Sequence, residues 1–367
     1  VGDEAGTALT TGDNNVAIGF EALSTEDAHG DNVAVGYQAL KVQDAGADAF
    51  STAVGYQAGV SVTTGVQNSL FGAFAGDALT TGQQNVAVGL GSLSAEEAGN
   101  YSVAVGRSAL QKQVNSTSTN VYNVAVGFEA GQEITTGSSN TILGGLAGDS
   151  LTGADENVAV GFGALTTDTL GSRSVAIGEQ ALAVQNFTTA TQTYNTAVGF
   201  QAGAAVSVGE RNTLLGALAG DALTDSSFNV AVGYGALSLD TLGARSTALG
   251  YNALANQNFT SATQAYNVGV GFGAAGNITT GTLNTIVGSL AGDALTTGGD
   301  NVAVGYSALS AEDAHGLNVA VGAQALRVQN AGANAYNVGV GYNAGGAVST
   351  GTQNTYIGGL AGDAATA

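Results

Sequence analysis

The chain of 367 residues contains no cysteine, methionine, tryptophan or proline, and only 2 histidines. Without cysteine it has no disulfides, thiolate metal ligands or cysteine nucleophiles. Basic residues are also scarce, since 7 Lys and Arg stand against 28 Asp and Glu, which gives a net charge of −21. No basic patch can neutralise phosphates, so the sequence argues against nucleic acid and anionic membranes as partners. No apolar run approaches the roughly 20 residues of a membrane-spanning helix, and we expect no membrane insertion.

Glycine and small apolar residues take the place of the missing types. The chain has 58 glycines, and 44% of its residues are hydrophobic, so it can bury a core and is not a flexible linker. Because it lacks both methionine and a signal peptide, we expect a processed protein or an internal segment.

The sequence is an internal repeat. A glycine closes a string of the NVAVG type in twenty places, and 14 of the 19 intervals between these glycines are 17 residues long. The other intervals are 19 or 21 residues and follow a four-unit rhythm, so that Gly72, Gly144, Gly216 and Gly288 are 72 residues apart. The period predicts one turn of extended backbone per unit.

The columns of the repeat favour strands over helices. Three residues before the glycine lies Val, Thr or Ser, one residue before it an apolar side chain, and four before it Asn or Ser. No apolar set recurs at helical spacing, and the Asn column fits a hydrogen-bonded ladder at a turn. We therefore predict an all-β fold: a parallel β-solenoid, or β-roll, of about 20 coils with a 17-residue coil and a 72-residue four-coil super-repeat. Residues 1–367 are predicted to form a single solenoid domain.

The two faces of the predicted strand are both apolar. We assign the residue directly before the glycine to the core and the residue two before it to the opposite face. That second column is mostly Ala, and every fourth coil places a large residue there. It either packs under other segments of the same coil or forms a strip for self-association, most simply of three parallel copies. The candidate strip residues are Leu70, Ile142, Leu214, Ile286 and Tyr356.

Three strings show a resemblance to known repeats: NVAVGYQAL at 32–40, NVAVGFEAG at 123–131 and SVAIGEQAL at 174–182. They resemble the head repeats of trimeric autotransporter adhesins of the YadA-like kind, and they are similar to repeats of phage and cyanophage fibre proteins. The resemblance implies a trimeric parallel β-roll used in surface attachment. The coils here are longer than those of the adhesin heads, and no heptad stalk follows them.

Insertions in the long coils are the candidate binding sites. They span 111–122, 183–194 and 255–266, and each combines hydroxyl and amide groups with an aromatic ring, which suits a glycan or protein ligand. A decorative loop with a packed aromatic ring is the alternative. The candidate ligand-binding residues are Asn115, Tyr122, Phe187, Tyr194, Phe259 and Tyr266.

No catalytic or metal site is predicted. His29 and His315 occupy the same phase of the repeat, in EDAHG strings, and only nearby acids such as Glu26 and Glu312 accompany them. We interpret both histidines as solvated loop residues and expect no metal, no cofactor and no enzymatic activity.

The functional expectation is a structural or adhesive fibre segment that supplies length and multivalent surface contacts. The alternative is a glycan- or receptor-binding module of a phage tail fibre. The expected location is extracellular, at a cell surface or on a virion. Because neither end shows a capping unit, we expect the fibre to continue in a longer chain or by end-to-end stacking.

Overall fold

A computed structural model describes residues 1–366, in which 26 short β-strands occur and no helix. Twenty strands have three residues and end directly before a repeat glycine. They are β1 Val16–Ile18, β2 Val33–Val35, β3 Thr52–Val54, β4 Ser69–Phe71, β5 Val86–Val88, β7 Val103–Val105, β9 Val124–Val126, β10 Thr141–Leu143, β11 Val158–Val160, β13 Val175–Ile177, β15 Thr196–Val198, β16 Thr213–Leu215, β17 Val230–Val232, β19 Thr247–Leu249, β21 Val268–Val270, β22 Thr285–Val287, β23 Val302–Val304, β24 Val319–Val321, β25 Val338–Val340 and β26 Thr355–Ile357.

Six further strands have two residues each and pair in parallel as β6–β8, β12–β14 and β18–β20. They are β6 Gly99–Asn100, β8 Thr119–Asn120, β12 Gly171–Ser172, β14 Thr191–Gln192, β18 Gly243–Ala244 and β20 Thr263–Gln264. Each pair joins one of the 21-residue coils to the coil before it. The insertions therefore begin a second short sheet of their own.

The chain divides into two compact units, each of which is a parallel solenoid of ten turns. The first comprises 1–179 and 186–192, and the second comprises 180–185 and the residues from Thr193 onward. Within each unit every three-residue strand pairs in parallel with the next, and the register matches equivalent residues, as in Val16 with Val33. The predicted solenoid of about 20 coils is confirmed.

The Asn column forms the predicted ladder, although its partners are mostly backbone groups. Asn68 Oδ1 accepts the backbone N–H of Asn85 at 3.0 Å, and Asn68 Nδ2 donates to the carbonyl of Gly82 at 2.9 Å. Both side chains are fully buried. Each amide therefore ties its own corner to the next coil and leaves neither of its polar ends unpaired.

The repeat glycines lie at corners where successive coils touch. Gly144 has a φ of 140°, and a Cβ added there would lie 2.5 Å from the carbonyl oxygen of Gly161 in the next coil. Both the backbone conformation and the close stacking require glycine.

The inward and outward faces of the strands are the reverse of the sequence prediction. The residue two before the glycine fills the core, and Leu70, Ile142, Leu214 and Ile286 are 0% exposed. They cannot form a self-association strip, and Tyr356 is partly buried against Gly345 and Gly362. The residue directly before the glycine points outward instead. Since both faces are apolar, alternation alone could not separate them; the interior is simply too narrow for anything but Ala in most coils.

The four-coil super-repeat follows from this narrow interior. In the fourth coil of a block Leu70 enters from the strand, and the opposite wall carries glycine, because a Cβ on Gly76 would lie 2.9 Å from Leu70 Cδ2. In the first two coils the strand carries Ala, and the opposite wall supplies Leu, as at Leu23 and Leu40, both 0% exposed. The wall that carries the large side chain changes through each block, and the volume at each level is filled.

Candidate functional site

The outward face of the main sheet is apolar along each unit. We define the outer strip as the first and third residues of the twenty main strands together with the residue after each repeat glycine. No charged residue occurs in the two strand columns, and only Arg107 and Glu179 are charged in the third. More than a third of the side-chain area is exposed at Val16, Ile18, Phe71, Val126, Leu143, Ile177, Val230, Leu249 and Ile357.

The third column of the outer strip is aromatic in eleven of twenty coils, and all eleven rings are exposed. Tyr37 stacks on Tyr56 with ring centroids 5.0 Å apart, and Tyr251 stacks on Phe272 at 5.2 Å. The eleven residues are Phe20, Tyr37, Tyr56, Phe128, Phe162, Phe200, Tyr234, Tyr251, Phe272, Tyr306 and Tyr342. Exposed stacked rings beside an apolar sheet make a large contact surface.

Each block also buries one carboxylate beneath its longest coil. Glu96 is 0% exposed, and its Oε1 accepts the backbone N–H groups of Gly99 at 2.7 Å and Asn115 at 3.0 Å. Its Oε2 accepts from Gln113 Nε2 at 2.8 Å and Asn115 Nδ2 at 2.9 Å. The insertion is thus folded around a fully hydrogen-bonded anion. The equivalent acids are Glu26, Asp168, Asp240 and Glu312, all of them 0% exposed.

The structure divides the six predicted ligand-binding residues into two groups. Phe187 and Phe259 are only 6% exposed, so the prediction that their rings contact a ligand is wrong; each loop needs an apolar anchor of its own. Asn115 is occupied by Glu96. The tyrosines Tyr122, Tyr194 and Tyr266 are exposed.

Arginine and aromatic rings alternate beside one of these loops. Arg211 lies over the Phe228 ring at 5.4 Å, and Arg245 lies 5.1 Å from Phe228 and 5.7 Å from Tyr266. The three distances are within the range of cation–π attraction. Tyr266 also donates a hydrogen bond to Gln264 at 2.6 Å.

A groove of about 440 Å³ opens beside Arg245, lined by Phe228, Thr263, Gln264 and Asp225 among others. The first unit carries an equivalent groove of about 200 Å³ at positions 72 residues earlier, where Arg173, Thr191 and Gln192 correspond to Arg245, Thr263 and Gln264. Hydroxyl, amide, guanidinium and aromatic groups in a shallow groove suit a polar ligand such as a glycan. The sequence shows the insertions but not the arginines that face them.

The two histidines lie beside buried acids. His29 Nδ1 is 3.3 Å from Glu26 Oε1, and His315 Nδ1 is 3.4 Å from Glu312 Oε1. Burial raises the pKa of the Glu312 carboxyl. The earlier interpretation of solvated loop histidines missed these partners, although the shared EDAHG strings already contained the signal.

A separate column of half-buried aspartates recurs once per block. Desolvation raises the pKa of Asp77, Asp149, Asp221 and Asp293. The Oδ1 atoms of Asp77, Asp221 and Asp293 are buried and have no hydrogen-bond partner. These carboxylates are therefore strained by burial and not engaged in a network.

No protein-family model matches this chain, and no curated protein matches it either. Because residues 1–366 contain no helix, none of them forms a helix of the length and apolarity that a bilayer crossing needs.

Proposed function

We propose that the chain is a structural and adhesive fibre segment that acts outside the cell or on a virion, and that it assembles laterally with further copies of itself. The observation that carries this proposal is the outer strip, which is apolar and nearly uncharged in a chain of net charge −21. A face of this kind is costly to leave in water.

The occupant that fits the outer strip best is a second copy of the chain. A parallel copy repeats the same aromatic and β-branched residues at the same coil spacing, so contacts at one coil recur at the next. Three copies around one axis close the assembly and leave no strip exposed, in keeping with the trimer that the resemblance implies.

Mass measurement by sedimentation equilibrium tests the lateral assembly. The parent chain is expected at three times the mass of a single chain. A variant with Leu143→Lys, Ile177→Lys and Leu249→Lys places charge on outer-strip residues that are 38%, 36% and 44% exposed, and is expected as a folded monomer.

The matched control carries the same chemistry away from the outer strip. Val184, Val208 and Leu239 are 46%, 46% and 51% exposed, and their replacement by Lys should leave the trimer intact. A monomeric parent chain, or a strip variant that remains trimeric, would contradict the proposal.

A second candidate function is glycan binding at the groove beside Arg245. The specific observation in its favour is the equivalent groove in the other unit, since repeated sites supply multivalency. Binding of galactose-, N-acetylglucosamine- and sialic-acid-terminated oligosaccharides is measured by saturation-transfer NMR. Arg245→Ala should weaken binding about tenfold, whereas Arg327→Ala, which removes an exposed arginine elsewhere, should not. Equal binding by the parent and the Arg245→Ala variant would exclude this groove.

A further inference from the structure

The five buried acids occupy one position of the repeat but have two kinds of surroundings. In the block of Glu96 the 21-residue coil supplies backbone and side-chain donors to both carboxylate oxygens. In the block of Asp240 the backbone N–H groups of Gly243 and Phe259 donate to Oδ1, and Gln257 donates to Oδ2. These acids are anchors with saturated hydrogen bonding.

The first and last blocks have 19-residue coils, and their buried acids are not saturated. Glu26 Oε2 and Glu312 Oε2 have no hydrogen-bond partner, although both residues are 0% exposed. A buried carboxylate oxygen without a partner carries a free-energy cost of about 1–3 kcal/mol. Only these two blocks place a histidine three residues after the acid.

The groups around each unsatisfied acid are metal ligands. One ligand atom each from Glu26, Asp27, His29 and Asp44 lies within 4.8 Å of the others. In the second copy the ligand atoms of Glu312, Asp313 and His315 meet the same condition. Opposite ligands of a cation bound at about 2.1 Å are separated by roughly 4.2 Å, so a small contraction forms a coordination shell.

We propose that these two clusters each bind one divalent transition-metal cation through imidazole and carboxylate ligands. Imidazole together with carboxylates favours Zn²⁺ and its first-row neighbours over Ca²⁺, which prefers oxygen alone. The cation supplies the partner that the buried glutamate lacks and compensates the negative charge of the neighbouring aspartates. The sites are independent of the proposed fibre function, because none of their residues belongs to the outer strip.

Equilibrium dialysis of the full chain against Zn²⁺, followed by metal quantification, tests the stoichiometry. The parent chain should bind two ions, His29→Ala one, and the His29→Ala/His315→Ala double variant none. Side chains that are 28% and 27% exposed can be truncated without unfolding the coil.

Glu97→Gln is the matched control, because Glu97 occupies the position of Asp27 and Asp313 in a block without histidine. This variant should still bind two ions. A parent chain that binds none, or a double-histidine variant that still binds two, would overturn the proposal.

Imidazole NMR provides a second readout on the unaltered chain, since it contains only 2 histidines. Zn²⁺ should shift the ring nitrogen signals of both, and an excess of Ca²⁺ should neither shift them nor displace Zn²⁺. If Ca²⁺ displaces Zn²⁺, or if the imidazole signals stay unchanged while Zn²⁺ binds, the ligands are carboxylates alone and the proposal fails.

The two sites are not identical, which gives the test a gain-of-function arm. Asn330 stands where the first site has Asp44, each directly after the equivalent glutamine. Asn330→Asp should therefore tighten Zn²⁺ binding at the second site about tenfold. Weaker or unchanged binding would contradict the ligand assignment.

Discussion

At the scale of single residues, the fold depends on glycine corners and asparagine amides that repeat in every coil. The corner glycine lets successive coils approach until backbone meets backbone, and the amide then satisfies the polar groups that the corner leaves unpaired. Both positions act between coils, so each substitution there affects two windings.

Replacing Gly144 by Ala should destabilise the protein by about 2–4 kcal/mol, because the residue has a φ of 140° and its Cβ would press on Gly161. Gly145→Ala is the adjacent control. A Cβ there meets nothing closer than the Phe162 ring at 3.7 Å, so the change should stay within about 0.5 kcal/mol. Urea denaturation followed by circular dichroism measures both, and equal effects would show that corner stacking is not limiting.

The half-buried aspartates predict an unusual pH dependence. Their pKa is raised in the folded state, so the folded chain binds protons more readily, and stability rises as the pH falls through the folded pKa toward the model value of 3.8. At pH 7 the triple variant Asp77→Asn, Asp221→Asn and Asp293→Asn should gain about 0.5 kcal/mol per site after solvent screening.

Thermal unfolding at pH 7, 5 and 3 measures this gain, which should vanish by pH 3, where the aspartates of the parent chain are protonated. The triple control Glu97→Gln, Asp300→Asn and Glu179→Gln makes the same charge change at exposed positions. An advantage that grows on acidification would refute the assignment.

At the scale of the strand, β10 offers a direct test of which face is inside. Ile142 is 0% exposed and Leu143 is 38% exposed, although the two are neighbours of similar size. Ile142→Ala should cost about 2–5 kcal/mol through loss of buried area and a cavity. Leu143→Ala should cost less than about 1 kcal/mol in a single chain and weaken only the lateral assembly. Denaturation in dilute solution compares them, and the opposite ranking would restore the original inward assignment.

This reversal marks the limit of what the sequence predicts about the strands. Period, strand positions, parallel pairing and the asparagine ladder follow from columns that allow few residue types. The inward face does not, because Val and Ala are both apolar, and small residues signal a narrow interior only when its width is known. The partners of His29 and Arg245 come from neighbouring coils, and sequence spacing alone did not show which side chains meet.

At the scale of the whole molecule, the block of four coils is the unit of construction. Deletion of 217–288 removes one complete block of 72 residues from the second unit and joins Gly216 to a residue equivalent to the one it lost. The shortened chain should remain folded, with a melting temperature within about 5 °C of the parent, because neighbouring coils still match.

Deletion of 217–250 removes only two coils and should unfold the junction. It brings Leu254 to the wall position that Gly220 occupies, where a Cβ already lies 2.8 Å from Leu214 Cδ2. Two large side chains then compete for one level of the interior. Circular dichroism and thermal unfolding compare the two deletions, and equal stability would show that the order of the blocks is unimportant.

The stacked tyrosines of the outer strip give the molecule an optical signature. Tyr37 and Tyr56 are nearly coplanar, with an angle of 8° between their rings, and the chain has no tryptophan to mask them. Their electronic transitions therefore couple, and the near-ultraviolet dichroism of the folded chain reports ring spacing. Stretching, ligand contact or the arrival of a neighbouring copy would change that spectrum without any attached dye.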